Sequence, residues 1–318
     1  MRNALYPYDG ELYSRLFLNC YQRQSLVMLA ERVPHIPLLF HSCLISTDEI
    51  LRQVVRERRP KYDFASGLLA PENLARIGVT AEEESFGSYA EARSFVRDIV
   101  HREGYAILVG DVYYWPHCPE YRTRHLTHTI VLTGYDADTA RWRILDDNPA
   151  SVLCRYTYPE QVIADSYDHG EVRRIRYFTI READAEAAEH GARRAFAELL
   201  ETYEDSHRLL TAVADIVSCP WTAPEHAIAS LHDAFGLYQG SRTALLAYTR
   251  RTAGDPAAED GLGRIVRQAA GVHGQLLLGK VTGTVDLDRL TAVCRELRDA
   301  EEELVRRLKA VTAARGRV

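Results

Sequence analysis

The sequence predicts an α+β chain in which an antiparallel sheet with helices, over residues 1–182, is followed by an all-α bundle over 183–318. Three observations support this. Near residue 182 the composition turns from Pro, Tyr and β-branched residues in short alternating runs to Ala, Leu, Arg and Glu at helical spacing. Within the first part the helical segments precede the alternating ones, an α+β order and not a βαβ one. A length of 318 residues, 46% hydrophobic and 26% charged, suits one large domain or two ordinary ones and excludes disorder, collagen and small disulfide scaffolds.

The opening Met1–Gly10 has Pro7 and Asp9-Gly10 as an exposed turn and no apolar stretch of the secretory kind, so a cytoplasmic location is expected. Apolar runs such as Ala106-Ile107-Leu108-Val109 are far too short for the roughly 20 residues that span a bilayer. Asn19-Cys20 opens an amphipathic helix with Leu26, Val27, Ala30 and Val33 on one face, ended before Pro34. Pro37-Leu38-Leu39-Phe40 reads as a short strand, and Thr47–Ile50 begins a helix that carries Arg56, Arg58, Arg59 and Lys61. Ser88 caps a helix over 88–103 that Gly104 terminates. Strands are expected at 105–114, 128–134 and 142–146. In the second part, helices are expected near 184–204, 206–217, 224–251, 260–279 and 286–312. The breaks fall at Cys219-Pro220, at Gly254-Asp255-Pro256 and between Gly279 and Gly283. The arginines there sit among acids at helical spacing, the pattern of a solvated face.

The net charge of −6 gives no reason to expect nucleic acid as a partner. Six cysteines at irregular intervals, with no CxxC pair, argue for reduced thiols, most of them buried. Cys20 differs from the rest in lying at a helix start, where unpaired backbone N–H groups and the helix dipole stabilise a thiolate and can hold an oxyanion. On the strand beginning at His128, alternation puts His128, Ile130 and Leu132 on one face; on the next, Trp142, Ile144 and Asp146 share a face. If the two strands pair through 134–141, His128 and Asp146 face each other. A thiol needs an imidazole to draw off its proton, and the imidazole needs a carboxylate to fix its tautomer, so Cys20, His128 and Asp146 are the candidate catalytic residues. Asp147 and Asn148 compete for the acid's place, and face alternation favours Asp146.

Four separated blocks carry a resemblance: Asn19-Cys20-Tyr21; Gly110-Asp111-Val112-Tyr113-Tyr114-Trp115-Pro116; Tyr121, His125 and His128; and the Gly134-Tyr135-Asp136 turn. Over about residues 15–180 the chain resembles the N-terminal domain of the butirosin biosynthesis protein H family, whose members are similar to papain-like cysteine proteases in fold. The resemblance implies a papain-like catalytic domain acting as an acyltransferase in natural-product biosynthesis. Such an enzyme takes an acyl group from the phosphopantetheine thioester of an acyl or peptidyl carrier protein and passes it to an amine, a hydroxyl or an internal nucleophile. It implies Cys20 as the acylated nucleophile, His128 as general base then acid, Asp146 as its orienter, and no cofactor bound by the protein itself. Papain-like peptidases place a Gln six residues before the Cys; here that position is Ser14, so Asn19 or Gln22 would have to complete the oxyanion site. The same triad with water would give a thioesterase or peptidase, and a catalytically idle papain-like module is a third reading.

Asp111 could line an acceptor pocket or cap a turn, and Tyr113 and Tyr114 with Trp115 could wall an acyl channel or form a core seam. His125 suits contact with substrate. The pairings His125/His128, His117-Cys118 and His41/Cys43 never reach three ligands at a recognised spacing, so no metal is expected. No phosphate-binding Gly-rich loop is present for a nucleotide. The run from Arg56 to Lys61 reads either as a solvated helix end or as a patch that steers an acidic carrier protein.

Overall fold

A computed structural model describes residues 4–252 and 255–315. Met1–Asn3 of the opening segment and Gly254 of the expected break lie outside the described residues, while Pro7, Asp9 and Gly10 of the expected turn are described and exposed. The strands are β1 (Ala4–Leu5), β2 (Val79–Glu84), β3 (Ala106–Asp111), β4 (Thr127–Asp136), β5 (Arg141–Asp147), β6 (Leu153–Pro159) and β7 (Arg174–Ile180). The helices are α1 (Cys20–Ala30), α2 (Thr47–Ile50), α3 (Pro71–Arg76), α4 (Tyr89–Glu103), α5 (Glu160–Asp168), α6 (Ala185–Thr202), α7 (Arg208–Thr211), α8 (Val213–Val217), α9 (Pro224–Arg251), α10 (Pro256–Thr282) and α11 (Leu287–Arg315). The fold class is the expected one, an antiparallel sheet with helices and a helical C-terminal region. Among the described residues no helix is long and apolar enough to cross a membrane.

The chain divides into two compact units. One comprises 1–15, 20–34 and 77–182; the other comprises 16–19, 35–76 and 183–318. This differs from two continuous stretches, 1–182 and 183–318, in that 35–76 and the short piece 16–19 pack with the C-terminal helices.

The first unit holds all seven strands in the order β1-β6-β5-β4-β3-β7-β2, each neighbour antiparallel. Its core lies where α4 and α5 cover one sheet face: Tyr89, Val96 and Ile99 from α4, and Ile163 and Tyr167 from α5, meet Leu108, Ile130, Leu132, Trp142 and Ile144. Ser88 caps α4 by accepting from the Glu91 N–H, and Gly104 ends it in the left-handed conformation, as the sequence indicates. Gly110 is required by close approach: a Cβ there would fall 2.3 Å from Ser166 Oγ, the hydroxyl that accepts from the Asp111 N–H at 2.9 Å. The expected strand over 105–114 ends at Asp111 and turns into one 3₁₀ turn, Val112–Tyr114. Four strands escaped the sequence reading, β1, β2, β6 and β7; β2 alternates too weakly to register, with Ala81 exposed among glutamates.

In the second unit, Ile36–Cys43 is a 3₁₀ helix and not the expected short strand. Its apolar residues are buried nearly all round, a pattern that a strand and a buried helix share. The helix at Thr47 continues as a π turn over Leu51–Arg56. The unit centres on α9, where Arg242 and Glu301 form a fully buried ion pair with the Tyr238 hydroxyl also donating to Glu301 at 2.7 Å.

Candidate active site

Cys20 is the first residue of α1, where the backbone N–H groups have no partner one turn back and the dipole is positive. The helix is buried on more than one side, including Arg23, Gln24 and Ser25 along with Leu26 to Leu29. Two of its buried polar residues, Arg23 and Gln24, reach the end of β5. Gln24 Nε2 donates to the Thr129 carbonyl at 2.8 Å and to Asp146 Oδ1 at 3.0 Å. Arg23 donates to Asp147 Oδ1 at 2.5 Å, to the Ser151 carbonyl at 2.9 Å and to the Tyr8 hydroxyl at 3.2 Å. Two successive residues of α1 thus engage two successive acids at the end of β5, which fixes the helix against the strand.

Asp146 is fully buried and is the centre of the site. Besides Gln24, its Oδ1 accepts from His128 Nε2 at 3.0 Å, and its Oδ2 accepts from His117 Nε2 at 2.8 Å. Because an ionised carboxylate can only accept, both imidazoles carry a proton on Nε2. That leaves His128 Nδ1 for the thiol and His117 Nδ1 to accept from the Tyr158 hydroxyl at 3.1 Å. The His117 ring is held by stacking on Tyr156, 4.2 Å between centroids. Asp147, the competing acid, is spent on Arg15 and Arg23.

The charges reinforce one another. Burial alone would raise the Cys20 thiol, but the His128 charge and hydrogen bond and the nearby Arg15 outweigh it and lower the pKa to about 7. For His128, burial opposes the charge, yet Asp146 and Cys20 hold its pKa well above the usual imidazole range. Burial likewise opposes ionisation of Asp146, and His128 with His117 keeps it well below the usual carboxylate range. Burial pushes Cys43 and Cys118 far up, and Cys294 up to about 12. The pH dependence of iodoacetamide labelling is therefore expected to show Cys20 reacting with a midpoint near pH 7, with Cys43, Cys118 and Cys294 inert at that pH. A Cys20 midpoint at the ordinary thiol value, roughly 8.5, would exclude the thiolate–imidazolium pair.

The weaker candidates fall into two places. Asn19 Nδ2 donates to the Tyr62 carbonyl at 3.3 Å, and Gln22 sits half-buried on the first turn of α1. Asp111, Tyr113, Tyr114 and His125 form a cluster of their own. Asp111 accepts from the Tyr113 and Leu126 N–H groups and from His125 Nδ1 at 2.6 Å, and the His125 ring stacks on Tyr113 at 4.3 Å. Asp111 thus holds together the two ends of the loop between β3 and β4. His125 stays largely exposed and Trp115 is fully buried in the sheet core.

His117, Gln24 and Tyr158 were not among the residues singled out for the site. His117 had stood out only beside Cys118 as an insufficient metal pair, and His117, Cys118 and Asp146 do bring ligand atoms within 4.8 Å of one another. The carboxylate of that trio already accepts three hydrogen bonds, and the raised Cys118 thiol disfavours the thiolate a metal would need.

No family model matches the chain. It is 24% identical over 313 residues, 94% of this chain and 97% of the relative, to the ribostamycin:4-(gamma-L-glutamylamino)-(S)-2-hydroxybutanoyl-[BtrI acyl-carrier protein] 4-(gamma-L-glutamylamino)-(S)-2-hydroxybutanoate transferase of Niallia circulans. The resemblance to the butirosin biosynthesis protein H family, first read from blocks before residue 182, thus extends along nearly the whole chain, the helical C-terminal part included.

Proposed function

We propose that this protein is an acyltransferase of antibiotic biosynthesis that moves an acyl group from a carrier-protein thioester, through an acyl-enzyme on Cys20, to an amine or hydroxyl acceptor. The observation that carries the mechanism is the Cys20 thiol with a pKa of about 7 beside an imidazole whose other nitrogen is bonded to a buried carboxylate. The relative, a transferase named for a 4-(gamma-L-glutamylamino)-(S)-2-hydroxybutanoyl-[BtrI acyl-carrier protein] substrate, supports the substrate class.

In this reading the Cys20 thiolate attacks the thioester carbonyl, and the negative charge on oxygen is held by backbone N–H groups at the start of α1 with Asn19 or Gln22 nearby. Collapse breaks the C–S bond to phosphopantetheine, and the leaving thiolate takes the proton from His128 Nδ1. The acceptor then attacks the Cys20 thioester while His128 removes its proton, and Cys20 leaves as the thiolate. Asp146 stays ionised throughout and holds the ring by Nε2. The phosphopantetheine arrives on its carrier, so the protein needs no resident cofactor. Six unpaired cysteines suit a reducing compartment, and a cytoplasmic location is part of the proposal.

Intact-protein mass spectrometry with acyl-carrier-protein thioesters tests it. A mass increase equal to the acyl group, localised to Cys20 and discharged faster by an amine than by water, is expected. Discharge by water alone would make the protein a hydrolase, and no adduct from any thioester would refute the acyl-enzyme. His117→Phe keeps the aromatic stack but deletes one donor to Asp146, and is expected to slow acylation by about ten- to hundredfold, since a hydrogen bond to a charged group is worth about 1.5–3 kcal/mol. An unchanged acylation rate would reduce His117 to packing.

A further inference from the structure

We propose that a groove between the arginine run after α2 and the start of α9 is the docking surface for the acyl carrier protein, receiving an acidic helix of the carrier. This rests on the acyl-carrier reading above and adds to it the surface that binds the donor.

The groove encloses about 600 Å³ and is lined by Arg56, Arg58 and Arg59 on one side and by Thr222, His226 and Asp233 on the other. All three arginines are exposed. On a chain of net charge −6, a groove lined by three arginines and one aspartate is locally basic. The acids nearby are already engaged: Glu57 is bridged by Arg52 and Arg59, and Asp233 Oδ1 is bonded to His232 Nδ1 at 3.2 Å. Among the described residues neither Arg56 nor Arg58 has a carboxylate partner.

The backbone is also arranged to present these side chains. Arg58 lies in the left-handed region at φ 53°, unusual for a residue with a Cβ, and the Arg59 N–H closes the turn on the Gln53 carbonyl at 2.9 Å. Beside the groove, Trp221 is 90% exposed and is flanked by Thr222, which lines it. A groove lined by arginines, with an exposed Trp adjoining its lining residue Thr222, brings together residue types that are enriched among interface hot spots. The segment then runs into 61–63, where the Tyr62 carbonyl accepts from Asn19, the residue covalently joined to Cys20. A partner of opposite charge seated here is steered by field and anchored by the indole.

The test uses the full chain. Holo-carrier binding is measured by calorimetry on a Cys20→Ala background, and acylation is measured in the Cys20 enzyme with two donors, acyl-carrier protein and the same acyl group on free pantetheine. The paired substitution Arg56→Glu with Arg59→Glu is expected to weaken carrier binding, and raise half-saturation for the carrier donor, by about tenfold or more, with Trp221→Ala giving a smaller loss. Acylation by acyl-pantetheine should change less than about twofold in every case. Raising salt should weaken the parent's carrier binding and leave the doubly reversed variant nearly insensitive. Unchanged carrier affinity in both variants overturns the docking surface, as does an equal loss with acyl-pantetheine. Carrier binding through the groove without any acylation keeps the surface and refutes Cys20 as nucleophile; acylation by pantetheine with no carrier binding does the reverse.

Discussion

Asp146→Ala is expected to lower turnover by about 10³–10⁴-fold and to cost about 3–5 kcal/mol of stability. The carboxylate is fully buried and accepts from Gln24, His117 and His128. Its removal leaves three desolvated donors aimed at a void, one of them on a ring held cationic by Asp146 and Cys20. Asp146→Asn preserves the shape but removes the charge and turns a donor toward groups that are themselves donors, so it should retain more stability than Ala and still lose most activity. The pH dependence has a definite sign. Since the folded-state pKa of Asp146 lies well below the usual carboxylate value, its stabilisation is present above about pH 4 and is lost as pH falls through the depressed value. His128 runs the other way: its raised pKa gives stability that is complete below about pH 6.5 and is lost as pH climbs through the folded value. Urea unfolding at pH 3, 5 and 8 would therefore show the parent losing stability from 5 to 3 more steeply than Asp146→Asn. Parallel slopes would mean that the carboxylate is not ionised in the fold.

Cys20→Ala is expected to abolish the acyl adduct and to reduce transfer by at least about 10⁴-fold. Its effect on stability should be small, about 1 kcal/mol, because the thiol is only part-buried and α1 remains tied down by Arg23 and Gln24. Loss of the thiolate should also lower the pKa of His128, since Cys20 is one of the charges that raise it. NMR titration of the imidazole reads this directly. An unshifted His128 together with residual transfer would place the nucleophile elsewhere.

Much of the site was legible in the primary structure because its chemistry is local. A cysteine at a helix start, a histidine on an alternating strand and an acid on the next are each visible by type and spacing, and the structure brings these three together. The change in composition near residue 182 marks where the C-terminal helices begin, but it gives no sign that 16–19 and 35–76 pack with them, because that grouping depends on contacts between segments distant in sequence. His117 and Gln24 were not legible, for a physical reason: both act on Asp146 from loop and helix positions distant in sequence, and no periodicity records such a hydrogen bond. Asn19 and Gln22 are oxyanion candidates by position alone, and Asp111, Tyr113, Tyr114 and His125 form a separate cluster around the loop between β3 and β4.

By itself, the sequence determined which residues could do the chemistry and that β4 and β5 would alternate. Which faces met was decided by tertiary structure. Tyr135 pairs with Trp142 and Gly134 with Arg143, but beyond them Leu132 pairs with Ile144 and Val131 with Leu145, because the register shifts between Leu132 and Gly134. A regular ladder continued from Tyr135 would put Thr133, Val131 and Thr129 on the face of Trp142 and turn His128 away from Asp146. The bulge at Thr133 inserts one residue into β4, so Leu132, Ile130 and His128 join that face instead. What selects it is the core: Leu132 and Ile130 pack with Trp142 and Ile144 against α4 and α5, and burying those side chains outweighs the ladder hydrogen bond that the bulge interrupts.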